Sequence, residues 1–171
     1  MKEIRDGIRD IPDFPKPGII FKDITPILKD PKLFKKVIDI FAKRYRDSGV
    51  TTIAAIESRG FIFGSALALK LGVAFIPIRK KGKLPYKTIS ATYGLEYGTD
   101  TIEMHEDALN AEDKVLILDD LAATGGTSKA AAELVEKLGA KVIGVAFVIE
   151  LAFLNPRKKL AGYDFFSIIE F

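Results

Sequence analysis

Apolar positions along the chain fall into short runs divided by polar or glycine-bearing breaks, and the period of each run predicts its element. Residues 3–10 read as a short helix. Residues 11–30 carry Pro12, Pro15, Pro17 and Pro26, which predicts an irregular segment laid against the body by Phe14, Ile19, Ile20 and Phe21. Asp30 followed by Pro31 is a helix start, an N-cap and then proline at the first helical position. Phe34, Val37, Ile38, Phe41 and Tyr45 recur at helical spacing, and Gly49 can end that helix.

From residue 52 the pattern alternates between buried-strand runs and helices. Strands are expected at 52–57, 73–78, 115–120, 141–150 and 165–170. Helices are expected at 60–71, ended by Gly72, and 127–138, ended by Gly139. Residues 87–105 alternate around two glycine-containing turns and predict a β-hairpin. Strands alternating with helices imply an α/β fold with a mostly parallel sheet, the hairpin being an antiparallel insertion.

The length of 171 residues suits one domain, 1–171, against about 100–200 residues per domain in general. A content of 48% hydrophobic and 29% charged residues excludes a disordered chain. The net charge of +3 is too mild to imply nucleic acid without a localised basic patch. No cysteine occurs, which excludes disulfides, thiolate catalysis and cysteine zinc sites, and the single His105 excludes histidine-rich metal sites. MKEIRDGIRDIPDF lacks the apolar stretch of a secretory signal, and no run reaches the roughly 18 apolar residues of a membrane span, so the cytoplasm is the expected location.

Open parallel sheets bind ligands at the carboxyl ends of their strands. The run Val115–Thr127 is the strongest such junction: an apolar strand, then Asp119 and Asp120, then Leu121, Ala122, Ala123, Thr124, Gly125, Gly126 and Thr127 opening a helix. Backbone N–H groups of a glycine-rich loop close on a phosphate, and the helix N-terminus adds a favourable dipole. Ionised carboxylates only accept hydrogen bonds, so the two aspartates suit the hydroxyls of a neutral diol. A phosphate at one end and a diol at the other describe a ribose 5-phosphate. Neither a Walker P-loop nor a dinucleotide fingerprint is present.

This string resembles the phosphoribosyl pyrophosphate (PRPP) motif of the type I phosphoribosyltransferases. More narrowly, the chain resembles the adenine phosphoribosyltransferases through residues 12–31 (PDFPKPGIIFKDITPILKDP), 57–64 (ESRGFIFG), 78–85 (IRKKGKLP), 95–100 (LEYGTD) and 119–127 (DDLAATGGT). Ala122 stands where the family pattern has leucine. The resemblance implies the type I phosphoribosyltransferase fold, a base-binding segment at about 11–30 and a flexible hairpin at about 79–105 forming a hood over the active site. It assigns Asp119 and Asp120 to the ribose and Ala123–Thr127 to the 5-phosphate. Arg59, Arg79, Lys80 and Lys83 go to the pyrophosphate, Ile20, Phe21, Lys22 and Leu121 to adenine, and Glu96 to acid–base work.

The implied activity converts adenine and PRPP to AMP and pyrophosphate. The implied cofactor is Mg2+ held mainly by substrate oxygens and water, with no metal ligand from the protein. The implied assembly is a homodimer. Two alternatives are weighed. A 6-oxopurine enzyme calls for a lysine donor after the strand following the phosphate loop, and Phe147–Leu151 contains none. A non-catalytic PRPP-binding regulator usually carries an added DNA-binding module, for which this chain has no room. The basic run 79–83 lacks the interleaved aromatics that nucleic-acid binding uses.

Overall fold

The computed structural model describes residues 1–94 and 98–171. In chain order the elements are α1 (Lys2–Asp6), β1 (Arg9–Pro12), β2 (Ile20–Asp23), α2 (Thr25–Lys29), α3 (Pro31–Tyr45), β3 (Thr52–Ile56), α4 (Arg59–Leu71) and β4 (Ala74–Lys80). Then follow β5 (Thr88–Gly94), β6 (Thr99–His105), β7 (Lys114–Ala122), α5 (Gly126–Lys137), β8 (Lys141–Glu150), α6 (Pro156–Lys159) and β9 (Phe165–Glu170). Seven strands form one sheet in the order β5-β6-β4-β3-β7-β8-β9. The five strands from β4 to β9 run parallel, and β5 and β6 are antiparallel.

The continuous apolar runs of β3, β7 and β8 follow from burial on both faces of a parallel sheet. Ile53, Leu116, Leu118, Ala146 and Val148 join the core shared with Phe41 of α3 and Phe63 of α4. Their alternates Ala54, Val115, Ile117, Val145 and Phe147 join the core shared with Leu134 and Val135 of α5. Helix α3 begins as expected: Asp30 Oδ1 accepts from the N–H groups of Lys32 and Leu33 at 2.8 and 3.2 Å. Helix α4 ends at Gly72 in the left-handed region at φ 70°. Gly64 lets α4 approach the sheet, since a Cβ there would lie 2.5 Å from Ala55 Cβ.

Two expectations change. The first helix stops at Asp6, and Arg9–Pro12 is instead a strand paired antiparallel with Ile20–Asp23. The segment expected to be irregular is therefore largely a ribbon followed by α2. The proline pattern misled because Pro15 and Pro17 sit in the connecting turn, Pro12 sits at the strand end, and Pro26 sits in the first turn of α2. There a proline costs no ladder or helix bond. The turn is closed by Asp13 Oδ1, which accepts from Gly18 N–H at 2.8 Å, and by an edge-to-face contact of Phe14 with Phe21 at 5.2 Å. The second change is a 3-10 turn at Ala152–Leu154 and α6, which no periodicity announced. Among the described residues no helix is long and apolar enough to cross a membrane.

Candidate active site

Strand β7 extends past β3 in their shared register, which ends at the pair Ala55–Leu118. The overhang carries Asp119 to Ala122, and the first turn of α4 packs beside it. Gly60 makes this approach possible: a Cβ there would meet Leu118 O at 2.9 Å, Asp119 Oδ1 at 3.0 Å and Asp119 Cα at 3.2 Å. The contact puts Arg59 beside the acids, its Nε 2.9 Å from Asp120 Oδ2. Asp120 is buried and Asp119 half-buried. Asp119 Oδ1 accepts from Asp120 N–H at 2.8 Å. Burial raises both carboxyls above the ordinary aspartate range. The adjacent Asp120 charge pushes Asp119 further, while the Arg59 charge restrains Asp120.

Beyond the acids the chain turns through Ala123 and Thr124 into α5. Gly125 lies at φ 79°, and a Cβ there would stand 3.0 Å from Pro156 O, so both conformation and space require glycine. The turn lines a cavity of about 240 Å3 with Asp119, Leu121 and residues 122–128 around it. The unpaired N–H groups at the start of α5 belong to this turn, an arrangement suited to an anion. Strand β5 closes one side of it: a Cβ on Gly126 would stand 3.6 Å from Gly94 O and from the Tyr93 ring.

A larger cavity of about 510 Å3 adjoins the first and shares Ala123 and Thr124 with it. Its other walls include Gly18, Ile19, Ile20 and Lys22 of the ribbon, Leu151, Phe153 and Leu154 after β8, and Phe171. Phe21 lies between Ile20 and Lys22 on β2, its ring centroid 5.1 Å from the Arg59 guanidinium carbon. A mostly apolar cavity adjoining a glycine-bearing turn at a helix start is suited to a heterocycle joined to a sugar phosphate.

The basic residues at the end of β4 and just after it are held in a separate network. Arg79 Nε donates to Glu57 Oε2 at 2.7 Å, and the same oxygen accepts from Lys80 N–H at 3.1 Å. Arg79 Nη1 donates to Lys83 O at 3.1 Å. Lys80 Nζ pairs with Asp100 at 3.2 Å, which raises the lysine above its usual value. Gly82 N–H donates to buried Glu103 at 2.9 Å. Glu57 directly follows β3, two residues before Arg59, so the network borders the aspartate junction.

The structure thus brings together Ile20, Lys22, Ala123 and Thr124 at one cavity, and Phe21, Arg59 and Asp120 in one chain of contacts. Arg79, Lys80 and Lys83 form their own group. Glu96 lies outside the described residues. Leu151, Phe153, Leu154 and Phe171 escaped sequence reasoning. Leu151 directly follows the carboxyl end of β8, so the strand-end rule could have found it. Phe171 had no such signal. Among the described residues no group of three or more histidine or acidic side chains could hold a metal ion. Glu150, buried at the end of β8, is engaged: it accepts two bonds from Arg157 at 2.7 and 2.6 Å and one from Ser167 at 2.7 Å.

Comparison with known proteins agrees with this geometry. The model of the phosphoribosyl transferase domain matches residues 23–168. The adenine phosphoribosyltransferase of Kosmotoga olearia is 59% identical over 98% of this chain and 99% of its own. The crystal structure of adenine phosphoribosyltransferase from Thermoanaerobacter pseudethanolicus superposes with a TM-score of 0.97 at 55% identity, covering 99% of each chain. The Saccharomyces cerevisiae enzyme, complexed with an imino-altritol bisphosphate and adenine, superposes with a TM-score of 0.93 at 43% identity, covering 98% and 97%. The chain therefore belongs to the adenine phosphoribosyltransferases, within the phosphoribosyl transferase domain family.

Proposed function

We infer that the protein transfers the phosphoribosyl group of PRPP to adenine, giving AMP and pyrophosphate in purine salvage. The observation that carries this is the shared wall of Ala123 and Thr124, where the apolar cavity meets the phosphate-type loop beside two carboxylates. The yeast relative holds adenine.

In the reaction the bond from C1′ to a pyrophosphate oxygen breaks as the bond from adenine N9 to C1′ forms, and the N9 proton leaves. Asp119 and Asp120 accept the ribose hydroxyls. The N–H groups and hydroxyls of Ala123–Thr127 hold the 5-phosphate. Arg59, Arg79, Lys80 and Lys83 take up the charge of the departing pyrophosphate, the first three exchanging their present carboxylate partners for it. Backbone groups of Ile20 and Lys22 meet the adenine edge, Phe21 covers its face and Leu121 packs near it. Glu96 handles a ring proton. The protein's share is placement and electrostatics, and a covered site keeps water from the reactive carbon.

Asp119 and Asp120 offer hard oxygen acceptors, and magnesium would be held mainly by substrate oxygens and water. Magnesium would supply charge neutralisation at the pyrophosphate. The absence of a lysine at 147–151 argues against a 6-oxopurine, whose 6-oxo group calls for a donor. Cytoplasmic residence and a homodimer complete the proposal. The test is nucleotide formation from PRPP, magnesium and each purine base separately: AMP from adenine is expected, and IMP or GMP in its place overturns the base assignment.

A further inference from the structure

We infer that Phe171 is a positioning residue for base recognition, its ring fixing the Lys22 side chain and with it the stretch of β2 that faces the base. The inference rests on the base assignment of Lys22 above. Lys22 Nζ lies 3.9 Å from the centroid of the Phe171 ring. It also donates to Asp10, its cross-strand partner, at 2.7 Å. Only 11% of the Lys22 side chain is exposed. An ammonium shielded from water over an aromatic face is attracted by the negative face of the ring. Lys22 is therefore held on one side by a carboxylate of its own ribbon and on another by the ring.

The ring is a fixed reference because its backbone is locked to the main sheet. Phe171 N–H donates to Glu150 O at 2.8 Å, and Ala152 N–H donates to Phe171 O at 2.8 Å. These bonds continue the β8–β9 ladder beyond the pair Glu150–Glu170. Arg5 adds a bond to Glu170 O at 2.6 Å and a guanidinium 4.7 Å from the same ring. The β1–β2 ribbon, by contrast, is a two-stranded sheet apart from the seven-stranded one. The ribbon must take its position over the phosphate loop from side-chain contacts. Phe171 makes such a contact at the cavity wall it shares with Ile20, Lys22 and Thr124.

A latch on the base-facing ribbon affects adenine capture and leaves the sugar-phosphate site alone. Phe171→Leu keeps apolar bulk but removes the aromatic face, and Phe171→Tyr keeps the face. With the full chain, Phe171→Leu is expected to raise KM for adenine about three- to tenfold, with kcat and KM for PRPP changed less than about twofold. Phe171→Tyr should restore KM for adenine. Should Phe171→Leu fail to fold, as read by its thermal midpoint, Lys22→Met is the second probe: it should raise KM for adenine by a similar factor. Where both variants fold, the double variant should show no further rise. An unchanged KM for adenine in Phe171→Leu, or in Lys22→Met, overturns the latch, and so does an equal loss in KM for PRPP. Absence of AMP formation by the unmodified protein would instead overturn the base reading beneath it.

Discussion

Arg59 Nε lies 2.9 Å from Asp120 Oδ2 across the junction of α4 and β7, and it is the cation that restrains a buried carboxyl otherwise pushed upward by burial. The same guanidinium lies 5.1 Å from the Phe21 ring centroid. A single side chain thus links a carboxylate assigned to the ribose to the aromatic face assigned to the base. In the proposed reaction it must turn from Asp120 toward the pyrophosphate, so its loss harms both partners.

Arg59→Met is expected to lower kcat/KM for PRPP by about 100-fold, the scale of one lost charge-assisted contact in the transition state. Arg59→Lys should recover only part, because an ammonium lacks the planar fork. Steady-state kinetics with PRPP varied checks this. A variant within about threefold of the unmodified protein would contradict the assigned role.

Asp119→Asn separates stability from activity. Between the ordinary aspartate value and the raised one, the folded state binds more protons than the unfolded state. Stability therefore falls as pH rises through that window, and the full penalty remains above it. Asparagine removes the penalty and keeps an oxygen for Asp120 N–H, which now donates at 2.8 Å. The variant should unfold at a higher temperature at neutral pH, with the gain shrinking toward acid pH, and should lose about 100-fold or more in turnover. Thermal melts across pH, paired with assays, test it. A neutral-pH midpoint at or below that of the unmodified protein would refute the sign.

Two glycines of α4 should fail differently. Gly64→Ala drives a methyl to 2.5 Å from Ala55 Cβ, between elements fixed by backbone bonds. It should cost about 2–3 kcal/mol of stability, measured by denaturant unfolding. Gly60→Ala presses on Leu118 O and Asp119. Its larger effect should be on KM for PRPP, since it moves a carboxylate assigned to the ribose. Reversed rankings would contradict the packing account.

Arg157→Met strands Glu150, which is 1% exposed. The expected cost is about 2 kcal/mol, below that of a fully buried pair because the arginine side chain is 55% exposed. Glu150→Gln in the same background should regain part of it by removing the stranded charge. Denaturant midpoints of the two variants decide.

The parallel core was legible because its strands are apolar on both faces and its helices carry clear stops at Gly72 and Gly139. The turn from β7 into α5 was legible because Asp119, Asp120 and Gly125 end an apolar strand and open a helix in that order. The β1–β2 ribbon was hidden by prolines that sit where no backbone N–H is needed. The Arg59–Asp120 pair joins residues far apart in sequence and depends on Gly60 letting two elements touch, which local pattern does not encode. Phe171 reaches the cavity only through the ladder of β8 with β9, a long-range pairing without a local sign.

The central claim is tested most directly by competition. Adenine, hypoxanthine and guanine are mixed in equal amounts with magnesium and a limiting quantity of PRPP, and the nucleotides are separated and quantified together with pyrophosphate. The account predicts AMP as the only nucleotide, in equal amount to pyrophosphate. IMP or GMP as the main product, or consumption of PRPP without AMP, would contradict it.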